Sequence, residues 1–189
     1  MRLIAIIVRA ISALNAALGR LFSLCSLAIV LICFAVVVMR YAFRMGSVPM
    51  QDLYVWLNGV MFMGIAGYAL LRNAHVRVDV FYRDARLRTK ALVDMFGCLF
   101  FIAPFLTVIW IWGFPYVQRS WRLGEGSPNF GGMPGFYLLK SFLLVFVVLV
   151  GLQAVAMFLR SVLVLAGRES LLPERLRYAE DEPVAEGGA

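Results

Sequence analysis

Histidine is all but missing from this chain of 189 residues: His75 stands alone. One imidazole cannot supply the paired axial ligands of a membrane b-type cytochrome. Cysteine is nearly as scarce. Cys25, Cys33 and Cys98 fall inside apolar runs, their number is odd and no C-x-x-C occurs. A disulfide framework is therefore not expected, and the thiols read as small apolar fillers. A membrane redox enzyme is left without the paired ligands it needs. Sequence patterns with catalytic mechanics are also missing: there is no G-x-x-x-x-G-K-[ST] for nucleotide phosphates, no H-E-x-x-H for zinc and no G-x-S-x-G elbow. The chain does not read as an enzyme, and neither a cofactor nor a metal site is expected in it.

Charge is thin as well. Charged residues make up 15% of the sequence and hydrophobic ones 62%, whereas ordinary soluble domains are roughly 25% and 45–50%. Mean hydropathy is +0.85. So much apolar surface could not be hidden in a soluble core of this size, which makes a lipid bilayer the expected solvent. The net charge of +7 would suggest nucleic acid in a soluble protein, but the base-reading modules are missing and the basic residues cluster at the ends of apolar runs.

Four such runs are present, at about 21–39, 53–71, 92–117 and 141–160. About 20 helical residues cross a hydrocarbon core of about 30 Å, and helices satisfy their own backbone groups in lipid. The alternating pattern of a β-barrel is missing. The expected fold is an all-α integral membrane protein with four transmembrane helices. Of the 18 basic residues, 13 fall in the N-terminal segment, the 72–90 connection and the C-terminal tail. The positive-inside rule then puts both termini in the cytoplasm. Trp56, Trp110, Trp112 and Trp121 fall near the outer ends of spans two and three, where an indole suits the headgroup region.

Residues 1–20 do not read as a signal peptide, because Arg9 and Arg20 interrupt the apolar stretch. At about 100° per residue, Arg2, Arg9 and Arg20 lie within about 20° of one another, opposite Leu3, Ile7, Leu14, Leu18 and Leu21. This predicts an interfacial amphipathic helix leading into span one; a plain N-terminal extension of that span is the alternative. The membrane domain then covers 21–165, and 166–189 is a cytoplasmic tail expected to be partly disordered, with acidic EDEPVAEGGA at its end. Pro104 should bend span three. The outer segments are 40–52 and the Gly- and Pro-rich 118–140.

A pump that moves ions itself keeps ionisable residues within its spans, and the central parts of these four are uncharged. Asp94, at the start of span three, is four residues from Lys90, the spacing of a helix-surface ion pair. Asn58 and Gln153 are neutral amides of the kind that hydrogen-bond a neighbouring helix in lipid. Gly59, Gly64, Ala66 and Gly67 give span two a thin surface for close approach. The chain reads as a membrane protein built to work beside another.

Residues 51–97 carry an acidic residue opening span two, Asp52, then Trp56, then R-x-x-H-V-R-V-D: Arg72, His75, Val76, Arg77, Val78 and Asp79. In these elements the chain resembles the small membrane subunit, DctQ-like, of tripartite ATP-independent periplasmic (TRAP) transporters, over roughly residues 20–165. The family more often has Glu where Asp52 stands. The stretch 120–140 looks like a subset associated with mannitol or chloroaromatic compounds, and some relatives handle 2-oxo acids or other monocarboxylates. The resemblance implies a multi-pass protein of the bacterial inner membrane. Its partners would be a large M-type membrane subunit, which carries the Na⁺ and substrate sites in an elevator-type mechanism, and a periplasmic substrate-binding protein. The small subunit would brace the scaffold of a sodium-driven transporter for organic acids.

In that setting Asp52, Trp56, Asn58, Arg72, His75, Arg77, Asp79 and Gln153 are candidates for structural or partner contacts, with His75, Arg77 and Asp79 as a polar lock on the span two–three connection. Arg40, Arg44, Arg119, Arg122 and Glu125 lie in loops suited to docking the binding protein. Arg2, Arg9, Arg20, Arg83, Arg86, Arg88 and Lys90 suit anionic lipid headgroups. Two other readings stay open. A stand-alone four-span exporter of the small-multidrug type needs a carboxylate in its first span, and residues 21–39 have none. A membrane assembly factor without a transport role is less readily excluded.

Overall fold

The computed structural model describes residues 1–72 and 85–177. Long helices account for most of them: α1 (Arg2–Ala42), α2 (Val48–Leu71), α3 (Leu87–Gly97), α4 (Ala103–Leu123) and α5 (Phe136–Leu165). A π turn over Cys98–Ile102 joins α3 to α4 without a break, so they form one rod, Leu87–Leu123. Among the described residues, four helical rods are thus long and apolar enough to cross a membrane, and each contains one of the four expected spans.

The π turn has a local cause. Pro104 has no N–H to give to the carbonyl four residues back, and its ring crowds that carbonyl. The Ala103 amide bonds instead to the Cys98 carbonyl, five residues back, and the wider turn makes room. The sequence predicts a bend at Pro104; the structure has a π turn just before it, within a continuous helical rod. Pro115 lies further along α4.

Contacts at matching heights define the topology. Trp56 meets Phe136, with ring centroids 5.6 Å apart, and Gly67 lies against the Leu149 carbonyl, so α2 and α5 run parallel. Arg160 meets Asp94 and Trp121 meets Ser141, so the α3–α4 rod runs antiparallel to α5. Gly19 lies against Tyr68, and Phe22 against Gly64, so α1 is antiparallel to α2. The rods alternate up and down, and α5 sits at the centre, with ten buried residues. In lipid, apolar surface gains little from leaving one greasy neighbour for another, so tight packing and polar bonds hold such helices together.

α1 has no break near residue 20. Its 41 residues span about 62 Å at about 1.5 Å per residue, roughly twice the hydrocarbon thickness. The segment expected as a separate interfacial helix is the first half of this rod. Its inward stripe is Ala5, Val8, Ser12, Asn15 and Gly19, spaced by three or four residues and small or polar. Ala5 and Val8 pack with Leu163, Leu172 and Leu176. The last two belong to the tail, which folds back in short 3₁₀ turns at Glu169–Leu171 and Glu174–Leu176. Beyond Gly19, α1 has no buried residue.

Candidate functional site

At the end of the bundle where α2 begins, the chain builds a polar cluster around one carboxylate. Ser47 caps α2 by accepting from the Met50 amide at 3.5 Å, and Pro49 occupies the first turn, where its missing N–H costs nothing. One turn on, Asp52 is 3% exposed. Its carboxylate accepts from Asn129 Nδ2 at 2.7 Å and from the Met133 amide at 2.9 Å, with the Ser127 hydroxyl as a further donor. All three donors come from the α4–α5 loop, so one side chain of α2 fixes a loop about 80 residues away.

The loop is shaped to reach it. α4 ends at Gly124 in the left-handed conformation, φ 57°. The Glu125 amide bonds the Ser120 carbonyl, and the Gly124 amide bonds that of Trp121, closing the helix with a Schellman pattern. Within the loop, the Ser127 amide donates to the Met133 carbonyl and the Gly132 amide to the Asn129 carbonyl, both at 2.9 Å. A side chain at Gly132 would collide with the Asp52 carboxylate and Ser127. At the tip, Phe130 is fully exposed.

A second cluster abuts the first. Lys140 Nζ lies 2.6 Å from Glu125 Oε2, 4.2 Å from the Tyr116 ring centroid and 5.2 Å from that of Phe136. Ser120 Oγ donates to the same Glu125 oxygen at 2.5 Å. The Lys140 bond and then the Ser120 bond hold the Glu125 carboxyl below its ordinary value. Trp56 packs on Phe136, and Trp121 donates from Nε1 to Ser141 Oγ at 2.8 Å. Arg40, Arg44, Arg119 and Arg122, named with Glu125 as docking residues, are all exposed around this end. Arg44 takes φ 57° in the α1–α2 connection.

Inside the bundle, Gln153 is 3% exposed and accepts from Asn15 Nδ2 at 3.0 Å; the same amide lies 3.4 Å from the Leu149 carbonyl. The amide partner expected for Gln153 therefore exists within the chain. Asn58 differs: it is exposed on α2, in line with exposed Val55 and Phe62. Gly64 and Gly67 admit Phe22 and Asn15 respectively, so the thin surface of span two serves packing within this chain.

Towards the other end, Asp94 accepts from Arg160 across the bundle at 3.0 Å, a partner the sequence spacing did not suggest. Lys90, grouped with the surface anchors, is buried at 8% exposed. Arg2, Arg9, Arg20, Arg86 and Arg88 are exposed, and Arg72 is exposed with its guanidinium 5.9 Å from the Tyr68 ring centroid. His75, Arg77, Asp79 and Arg83 lie outside the described residues, so the polar lock does too. Asp52, Asp94 and Glu125 each hold one part of the fold to another.

Searches of curated proteins and of solved structures return no match. The family profile described as "Tripartite ATP-independent periplasmic transporters, DctQ component" matches residues 29–164, well over half the chain, from within α1 to the last turn of α5. With four membrane-length helices and a transport-component profile across them, the chain belongs to the DctQ family, a component of TRAP transporters.

Proposed function

We propose that the chain is the small permease subunit of a sodium-driven, binding-protein-dependent transporter for organic acids, and that it acts by bracing the scaffold of the large membrane subunit. Both termini face the cytoplasm, following the concentration of arginine at that end. The Asp52-fixed loop, with Arg40, Arg44, Arg119 and Arg122 around it, then faces the periplasm and forms part of the surface on which the substrate-binding protein docks. Na⁺ and substrate belong to the large subunit, because the central parts of these four spans offer no charge to hold them.

The observation that carries this reading is Asn58. It displays an amide on an exposed stripe of a membrane helix, between Val55 and Phe62, which are 55% and 73% exposed. Facing hydrocarbon, such an amide leaves its hydrogen-bonding groups unsatisfied; facing another helix, it gains a bond. A second membrane chain is the natural cover for it. Asn58→Leu should reduce recovery of the large subunit with this chain about threefold, as expected for a bond worth about 0.6 kcal/mol, without changing the chain's own thermal midpoint. Unchanged recovery would reject α2 as the bracing face.

A further inference from the structure

Near the N-terminus and the last turns of α5, the structure holds an open cleft of about 510 Å³ between α1, α2 and the folded-back tail. That volume falls within the roughly 300–1,000 Å³ of small-ligand sites. Among the described residues, three arginines line it: Arg9 and Arg20 from α1 and Arg72 from the end of α2. Arg9 and Arg20 are about 16 Å apart along the helix and nearly in line. The pairing of Gly19 with Tyr68 and Asn15 with Gly67 sets Arg72 between them in height. Among the described residues lining the cleft, none is acidic.

The cationic groups are already tethered. Arg9 donates to the Leu171 carbonyl, Arg20 Nε donates to the Ala16 carbonyl at 3.2 Å, and Arg72 leans over Tyr68. A guanidinium has five N–H donors, so each keeps several for a ligand. Between the arginines the floor is Ser12 and Ala16, whose short side chains leave the space open. The depth of Arg20 selects the ligand. It lies beside Tyr68, about a turn further into α2 than Arg72, and next to Leu21, which is 59% exposed. A cation at that level of a membrane helix is costly unless it meets an anion or reaches the headgroups.

We infer that this cleft binds an anionic phospholipid. Its phosphate is held by Arg9 and Arg72, with Arg20 beneath, and its acyl chains run out over the apolar flank of α1. Guanidinium pairs suit phosphate oxygens, and basic pockets between transmembrane helices take lipid headgroups in this way. The site is independent of how the chain meets its large subunit, so either reading can fail alone.

The test uses the intact complex of this chain with its large subunit, purified in mild detergent and titrated with phosphatidylglycerol, cardiolipin or phosphatidylethanolamine under native mass spectrometry. Wild type should retain the anionic lipids at least tenfold better than phosphatidylethanolamine. R9Q/R72Q should lose that preference, and R119Q/R122Q, at the opposite end, should keep it. Ala16→Phe fills the floor without changing charge and should also expel the lipid, which covers the case in which R9Q/R72Q does not fold. Excess inorganic phosphate should leave the lipid bound. Equal retention in wild type, R9Q/R72Q and Ala16→Phe would overturn the assignment. Equal loss in R119Q/R122Q would reduce it to bulk charge, and displacement by phosphate would make it a site for a free anion; either result also overturns it.

Discussion

Asn15, on α1, donates a 3.0 Å hydrogen bond to Gln153, on α5, and both amides are almost wholly buried. In lipid such a bond competes with few alternatives, yet measured values average only about 0.6 kcal/mol and reach about 2. Asn15→Ala and Gln153→Ala should each lower stability in detergent, and the double variant should cost less than the sum of the two. A coupling of about 0.5–2 kcal/mol in that double-mutant cycle is expected. Strict additivity would mean the pair contributes nothing as a pair.

Gly67 supports that bond from beneath. A methyl group there would meet Asn15 Oδ1 and the Leu149 carbonyl, a backbone atom that cannot swing aside. Gly67→Ala should therefore destabilise by about 1–3 kcal/mol, the usual cost of overpacking. Gly97→Ala is the contrast: nothing lies within 4 Å of the added carbon, so helix propensity alone acts, and stability should rise by up to about 1 kcal/mol. Thermal midpoints in one detergent would compare them; the same sign for both would contradict the packing described.

Asp52 fixes the α4–α5 loop through its bonds from Asn129 and Met133. Asp52→Ala should free the Met133 amide, and its hydrogen exchange should quicken by on the order of tenfold or more, as when a bond to a charged acceptor is lost. Asp52→Asn keeps the shape but replaces one accepting oxygen by a donor, so it should fall between the two. Gly132→Ala should mimic Asp52→Ala from the other side, because the added carbon falls on the carboxylate. Unchanged protection at Met133 in Asp52→Ala would refute the clamp.

The Glu125–Lys140 contact makes a pH prediction. Folding lowers the Glu125 carboxyl below its ordinary value of 4.5, so its contribution is complete above that value. It is lost as pH falls through the lowered folded-state value. The difference in thermal midpoint between wild type and Glu125→Gln should therefore stay constant from pH 7 down to about 5 and shrink at more acid pH. A difference that changes above pH 5 would point to another group.

Much of the fold is legible because membrane spans announce themselves. Four apolar runs with uncharged centres and about the right length predict four rods, and the rods are present among the described residues. The boundary at Arg20 is less legible: a charge marks where lipid becomes costly, not where a helix ends, and arginine is a good helix former. Asn15 was hidden for the same reason. It looks like one more polar residue on an amphipathic surface until its place in the stripe Ala5, Val8, Ser12, Asn15, Gly19 is noticed. The Lys90–Asp94 spacing is that of a local ion pair; the contact from Arg160, 66 residues from Asp94, has no local signal in the sequence. Asp52 stood out as an acid opening a span, and Gly and Pro marked the loop. That the two meet is a product of tertiary packing, which no short-range pattern records.

The central claim is that this chain supports transport without carrying the solute. Its most direct test is reconstitution of the large subunit with a loaded binding protein in liposomes, with and without this chain, under an inward sodium gradient. Substrate uptake is expected only when the chain is present, and none from the chain with binding protein alone. Equal uptake in its absence, or uptake by the chain without the large subunit, would contradict it.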